Sequence, residues 1–339
     1  MPANIQDVAN EAHVSVSTVS RSFTRPDLVS AITRDKVLAI AEKLNFSISR
    51  SAAALKSGRT LRVALLMSDS IRLWFSASII QGLNQVLHPA GYDLSIFQIS
   101  SSQERAEFFD MLPTRRNADA VIVCSFDVNK SEVASLKATG VPVLGINCLY
   151  PMDCDFDATI NIDDDQGARL MARHLIGLGH KNIAYIRTNR DVSLHFSVLQ
   201  RYHSFIDECK INNITPTEIV APEGLDRISS IVSSLLSNSS IPTAIACQED
   251  GIAIPLMFQL SRSGYNTPGD LSIIGFDDSF YARETGLTTI RQDPVSMAVD
   301  IAKMTLSLIN GDYLDESRRY ITIPAQLIVR SSTSQLDVA

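Results

Sequence analysis

Two stretches near the N-terminus, IQDVANEAHVSVSTVSRSF (residues 5–23) and VSAITRDKVLAIAEKLNF (residues 29–46), decide how the chain begins. In the first, Ile5, Val8, Ala9 and Ala12 recur at i, i+3, i+4 and i+7, so one face of a helix is apolar. A turn at His13-Val14 follows, and Ser15 is placed to cap a second helix carrying Val19 and Phe23 inward. In the second stretch Ser30 can cap a third helix, whose Val37, Ile40, Ala41 and Leu44 again share a face. Three helices in so short a span, the first two joined by a tight turn, have the shape of a helix-turn-helix domain. The pattern alone fits a plain three-helix bundle equally well.

Working outward, SISRSAAALKSGRT (47–60) reads as a linker. Inside it, 51–56 are good helix formers that Ser49 can cap. A helix that short falls well below the roughly 12–15 residues needed for stability alone, so it is expected to order only against a partner. Beyond residue 61 the grammar changes. Strand-like apolar runs at 62–67, 92–99, 120–125, 141–146, 183–187, 243–247 and 271–276 alternate with helical patterns at 76–90, 103–112, 130–139, 164–178, 198–210, 227–237 and 250–264. That alternation implies parallel, doubly wound sheets with helices on both faces. It runs too long for one open sheet of ordinary size, so two similar lobes are expected. A cleft between them, beyond the carboxyl ends of the strands, is the natural ligand site.

Charge is distributed unevenly. The whole chain carries −7, but residues 1–60 hold eight Lys/Arg against five acids, and the remainder 22 against 32. A small basic head on an acidic body fits a DNA reader joined to something else. No apolar run approaches the roughly 20 residues that span a bilayer, and MPANIQDVANEA lacks the basic-then-apolar order of a secretion signal. Five cysteines, with no C-x-x-C pair, read as buried or free thiols in a reducing compartment. A cytoplasmic protein with no membrane partner is expected.

Enzyme motifs are missing. No G-x-G-x-x-G follows a strand, and there is no Walker A, H-E-x-x-H or G-x-S-x-G. The histidines have no metal-ligand spacing, and no cofactor is expected. Asp163-Asp164-Asp165 could suggest a cation site, but the trio opens a predicted helix, where carboxylates meet the dipole favourably.

The two N-terminal stretches resemble the lactose-repressor/galactose-repressor (LacI/GalR) family of bacterial regulators. The resemblance continues in order through GLNQVLHPAGYDL (82–94), INIDDDQGARLMARHLIGLGHKNIAYI (160–186), PTAIACQEDGIA (242–253), LSIIGFDDS (271–279), LTTIRQD (287–293) and IPAQLIVRSST (323–333). It implies a small all-α helix-turn-helix domain (1–47), a hinge helix (48–60) and an α/β core (61–339) of two doubly wound lobes like type I periplasmic binding proteins. The lobes would exchange strands near Asn161, Arg291 and Tyr320. The N-lobe would then span about 61–160 and 291–320, and the C-lobe about 161–290 and 321–339. A homodimer on a pseudo-palindromic operator in double-stranded DNA is implied. Only SSTSQLDVA follows Arg330, without the heptad helix of tetrameric members.

By the same resemblance the second helix enters the major groove. Val16 can meet a thymine methyl, Ser17 can donate or accept, and Arg21 suits a guanine edge or a phosphate. Thr18 and Ser20 fit phosphate contacts or plain surface polarity. Ala52 and Leu55 match the hinge helix, with Leu55 as the leucine that wedges between central base pairs. Departures are His13 at a turn usually held by glycine, Ile48 for proline, and Ala53 for arginine. For the small-molecule effector, expected to be a sugar or sugar derivative, Arg201 matches a hydrogen-bonding arginine, and Asp277 an acidic contact. Glu249 and Asp250 match an Asn-Asp pair, while Trp74, Phe75 and Ser76 fall in a cleft-facing segment. The usual aromatic lid near Gly224 is absent, which leaves Trp74 or Phe75 to stack on a ligand. A core salt bridge between Arg201 and Asp277 is the competing reading. Function then divides between a sugar-released repressor of carbohydrate-utilisation genes, a global catabolite regulator with a phosphoprotein corepressor, and an enzyme or solute-binding protein sharing the core. The helix-turn-helix argues against the last.

Overall fold

The structure, a computed structural model, describes residues 3–24, 26–46, 58–111, 117–125, 128–148, 156–189, 196–237 and 240–336. The chain divides into two compact units, Met1–Leu61 and Arg62–Ala339. Ala52 and Leu55 of the expected hinge helix lie outside the described residues.

The first unit holds α1 (Ile5–Ala12), α2 (Val16–Thr24) and α3 (Ala31–Lys43). Asn4 caps α1 in a capping box with Asp7. Ser15 Oγ accepts the Thr18 N–H at 3.1 Å, and Ser30 Oγ accepts the Thr33 N–H at 3.3 Å, so both expected caps form. His13 ends α1 at φ 53°, ψ 44°, in the left-handed region that the family's glycine adopts freely. Val8, Ala9, Ala12, Val19, Val37 and Ala41 form the core, and the Phe23 and Phe46 rings meet edge to face beside it.

In the second unit the strands are β1 (Arg62–Met67), β2 (Asp93–Gln98), β3 (Ala120–Cys124), β4 (Val143–Ile146), β5 (Ala158–Ile162), β6 (Ile183–Thr188), β7 (Thr217–Ala221), β8 (Ala244–Cys247), β9 (Ser272–Asp277), β10 (Thr288–Arg291), β11 (Tyr320–Ile323) and β12 (Gln326–Ile328). They build two six-stranded sheets, in the orders β11-β5-β4-β3-β1-β2 and β12-β10-β9-β8-β6-β7. Every pairing is parallel except β10 with β12. Helices α4 (Trp74–Leu87), α5 (Ser102–Met111), α6 (Lys130–Lys137), α7 (Asp164–Gly177), α8 (Phe196–Ile211), α9 (Arg227–Ser237), α10 (Asp250–Arg262), α11 (Pro294–Ile309) and the single-turn α12 (Glu316–Arg319) complete it. The inner strands are mostly buried, β3 and β9 along their whole length, as a sheet covered on both faces requires.

The chain passes between sheets after β5, after β10 and after β11. The last pass falls after Ile323 rather than at Tyr320, because Tyr320–Ile323 first pairs with β5 as a sixth strand. Four strands escape the sequence reading (β5, β7, β10 and β11), as do the short β12 and the whole of α11. α11 is a long helix whose apolar face packs on α4. Gly82 of α4 makes that contact close, since a Cβ there would collide with the Val295 carbonyl and Ala298.

Candidate functional site

The carboxyl ends of both sheets open on one cavity of about 320 Å³. From the first lobe come Asp69, Leu73, Trp74, Phe75, Ser125 and Asn147. Ser125 and Asn147 follow β3 and β4 directly, each with φ 47°, a turn that aims them off the strand ends. From the second lobe come Arg201 of α8, Arg227 of α9, Glu249 and Asp250 at the head of α10, and Asp277 at the end of β9. Gln292, in the second pass between lobes, lines the same space. Ser76 is not part of the lining: it is buried in α4, and its Oγ has no hydrogen-bond partner.

Arg201 is buried, and its Nε donates to Asp164 Oδ1 at 2.6 Å while Nη1 donates to the Gln248 carbonyl at 3.3 Å. Its guanidinium carbon sits 3.7 Å above the Phe276 ring. The core salt bridge therefore runs to Asp164, at the start of α7, and not to Asp277. Burial pushes the Asp164 carboxyl up, and Arg201 pulls it back. The acidic trio divides its work around the head of α7. Asp163 caps it through the Gln166 N–H, Asp164 takes Arg201, and Asp165 takes Arg169 and Ser204.

Asp250 has no exposed surface. Its Oδ1 accepts from Thr289 Oγ1 at 2.6 Å, and its Oδ2 accepts the Ser279 N–H at 2.8 Å. It fits only because residue 275 is glycine, whose missing side chain leaves the space its carboxylate occupies. Burial pushes its carboxyl up to about 6, against the pull of those two hydrogen bonds. With both oxygens taken, Asp250 supports the turn after β9. Asp277 is nearly as buried, and burial followed by the charge of Asp250 holds its carboxyl well above the usual carboxylate range. Gln292 Nε2 donates to Asp277 Oδ1 at 2.6 Å, while Gln292 Oε1 is buried without a partner. The cavity thus holds an unpaired acceptor, Gln292 Oε1, beside a carboxyl that keeps its proton more readily than usual, and a partner able both to donate and to accept hydrogen bonds suits it.

Glu249 accepts from Arg227 Nη1 at 2.9 Å, so the acid that replaces the family's amide arrives with its own counter-charge. Arg227 Nη2 also donates to the Gly251 carbonyl at 3.0 Å. That carbonyl is free because Pro255, inside α10, has no N–H to give it. The sequence reading missed Arg227, although a proline four residues beyond Gly251 was the signal for an orphaned carbonyl. It also missed Asp69, Asn147 and Gln292, and two aromatics at the cavity, Phe280 and Tyr281, whose exposed rings meet edge to face at 5.0 Å.

In the first unit, Ser17 and Arg21 are exposed one turn apart on α2. Val16, Thr18 and Ser20 are half-buried, and Val16 packs against the helical core. Ser15 Oγ also lies 2.7 Å from Ser17 Oγ and 2.8 Å from Thr18 Oγ1, so the start of the helix presents a cluster of hydroxyls. Among the described residues no helix is long and apolar enough to cross a membrane, and no group of His, Cys, Asp and Glu could hold a metal.

The bacterial regulatory proteins of the lacI family match residues 4–49, and a periplasmic binding protein-like domain matches residues 172–333. The HTH-type transcriptional regulator GalR of Escherichia coli is 31% identical over 318 residues, covering 93% of this chain and 91% of that protein. The HTH-type transcriptional repressor PurR of Actinobacillus pleuropneumoniae is 27% identical over 341 residues, 99% of each. A crystal structure of the Lac repressor dimer, bound to operator and the anti-inducer ONPF, shares the fold with a TM-score of 0.81 at 24% identity, covering 98% of this chain and 100% of that one. The chain belongs to the lacI family of bacterial regulatory proteins, and it is a DNA-binding transcription regulator with a helix-turn-helix head and a two-lobed periplasmic-binding-protein-like core.

Proposed function

We propose that the protein is a homodimeric repressor in the cytoplasm that leaves its operator when a small polyhydroxylated effector, a sugar or sugar derivative, enters the cavity. The cavity itself carries this reading. It is bounded by both lobes, it holds about 320 Å³, and its lining combines polar groups such as Asp277 and Gln292 with the aromatic side chains of Trp74, Phe75, Phe280 and Tyr281. A ligand there touches both lobes, so it favours one lobe arrangement over another in proportion to its differential contacts. Its hydroxyls can donate to the unpaired Gln292 Oε1 and accept from the guanidinium groups, and the rings cover its apolar face. The acidic groups serve binding, and no catalytic step is assigned to them. On the head, Ser17 and Arg21 are the proposed base-reading pair, Val16 offers a small apolar contact, and Thr18 and Ser20 face phosphates. Ala52 and Leu55 are proposed to contact the minor groove. The Lac repressor dimer with operator supports the dimer and the DNA partner.

The test is a thermal-shift screen of the purified protein against neutral monosaccharides and disaccharides. A sugar that binds only the native state at 100 times its Kd adds about 2.7 kcal/mol and raises the melting temperature. The same sugar must release a selected operator duplex. A panel in which no sugar does both contradicts the proposal.

A further inference from the structure

We propose that Asp278 is a positioning residue that couples the cavity to the passes between the lobes, through ion pairs with Arg291 and Arg330. The inference rests on the reading of the cavity as the effector site. Asp277 and Asp278 have φ of 137° and 55°, backbone that residues with side chains adopt rarely and at an energetic cost. Such a turn persists only where its surroundings hold it, and three separate elements do so. Asp250, at the head of α10, fixes the Ser279 N–H. Gln292 bonds Asp277 twice, from its backbone N–H to the carbonyl at 3.1 Å and from Nε2 to Oδ1 at 2.6 Å. Asp278 supplies the third hold. Its Oδ2 accepts from Arg291 Nε at 2.7 Å, and its Oδ1 accepts from Arg330 Nη2 at 2.5 Å.

The positions of those two arginines give the pairing its meaning. Arg291 ends β10, immediately before the second pass between sheets, and its Nη1 also reaches Gln326 Oε1 at 3.5 Å, at the start of β12 after the third pass. Arg330 follows β12 and is itself fixed, with Nη1 on the Leu287 carbonyl at 2.7 Å and its N–H on Thr288 Oγ1 at 2.9 Å. One carboxylate, only 10% exposed, therefore ties the cavity turn through Arg291 to the start of the second pass and through Arg330 to the segment that follows the third. Charge-assisted bonds of this kind are short and directional. A ligand that draws on Asp277 moves a turn with little conformational slack, and Asp278 transfers that displacement to the segments about which the lobes reorient.

Two variants test this in the full chain. Asp278→Asn keeps the shape of the side chain and removes its charge, while Arg291→Gln removes one arm from a half-exposed position that does not endanger the core. Trp74 is the only tryptophan and lines the cavity, so its emission reports occupancy without DNA. Wild type and variants are titrated with D-galactose, D-ribose and D-glucose, with and without a labelled duplex selected by the wild type. Both variants are expected to bind sugar and duplex within about threefold of wild type. The loss of duplex affinity caused by sugar, about 5–150-fold for coupling of this type, should fall below about threefold. Asp278→Glu should recover part of it. If Asp278→Asn does not fold, Arg291→Gln alone decides. Wild-type coupling in Arg291→Gln and in any folded Asp278→Asn overturns the proposal and leaves the cavity reading standing. No response of wild-type Trp74 emission or duplex affinity to these sugars or to any other sugar of the monosaccharide and disaccharide panel overturns the cavity reading, and the coupling role with it.

Discussion

The helix-turn-helix head and the effector cavity are built in opposite ways. In the head, the candidate DNA-reading side chains come from five consecutive-turn positions on one short helix, and exposure selects Ser17 and Arg21 among them. In the cavity, the polar groups come from α8, α9, α10, the end of β9 and a pass between lobes, and burial dominates their chemistry. A contiguous, solvated site is written in local spacing. A buried site assembled from distant segments depends on partners that spacing does not name.

That difference sets the scale of the expected effects. The largest belongs to the buried set. Arg201→Ala strands the Asp164 carboxylate in the core, and removing one partner of a buried pair costs about 3–5 kcal/mol. Thermal melting should show a drop of that order, and the cavity should lose its response to sugar. A melting temperature within a degree or so of wild type would place Arg201 outside the structural core and erase the contrast between the two regions.

The legibility of the sequence follows the same division. Caps at Ser15 and Ser30, the inward Val19 and the helix boundaries of the head were readable because each rests on residues within one turn. Most of the inner strands and the helices between them were readable from apolar runs. β7, β10 and β12 were not, because they are short and alternate in exposure or carry threonine, and α11 was lost in a stretch with no strand signal before it. At the site, Arg201 and Asp277 were marked by the family resemblance, yet the pairing of Arg201 with Asp164 was not. Asp164 lies 37 residues away in sequence and was read as one of three equivalent helix-opening acids. Arg227 and Gln292 stayed invisible because their roles exist only once Glu249, Gly251 and Asp277 are brought to them.

A second effect sharpens the contrast through pH. Asp250 is held up to about 6 and Asp277 above the usual range, so the native core binds protons more tightly than the unfolded chain does. Stability from these groups is fully present below the unfolded value near 3.8 and is lost as pH rises through about 6 and beyond. For Asp250 the change is on the order of 2–3 kcal/mol. Asp165 and Glu208, lowered by Arg169 and Arg173, act in the other direction and withdraw support in strong acid. Melting temperature should therefore peak on the acid side of neutrality. Asp250→Asn can keep both hydrogen bonds, with Oδ1 accepting from Ser279 and Nδ2 donating to Thr289, and it should flatten the decline between pH 5 and 7. An unchanged slope in that variant would remove Asp250 as its source.

The smallest expected effects, about 1–3 kcal/mol, are also the most direct test of the account, because they separate reading DNA from reading the effector. The measurement is fluorescence anisotropy of a labelled pseudo-palindromic duplex, selected by the wild type, titrated with wild type, Arg21→Ala and Asp277→Ala, with and without the sugar that shifts wild-type melting most. Arg21→Ala should bind the duplex about 5–150-fold more weakly while Trp74 still reports sugar normally. Asp277→Ala should bind the duplex as wild type does and hold it at sugar concentrations that release wild type. An Asp277→Ala protein that lets go of the duplex at the same sugar concentration as wild type would contradict the assignment of the cavity.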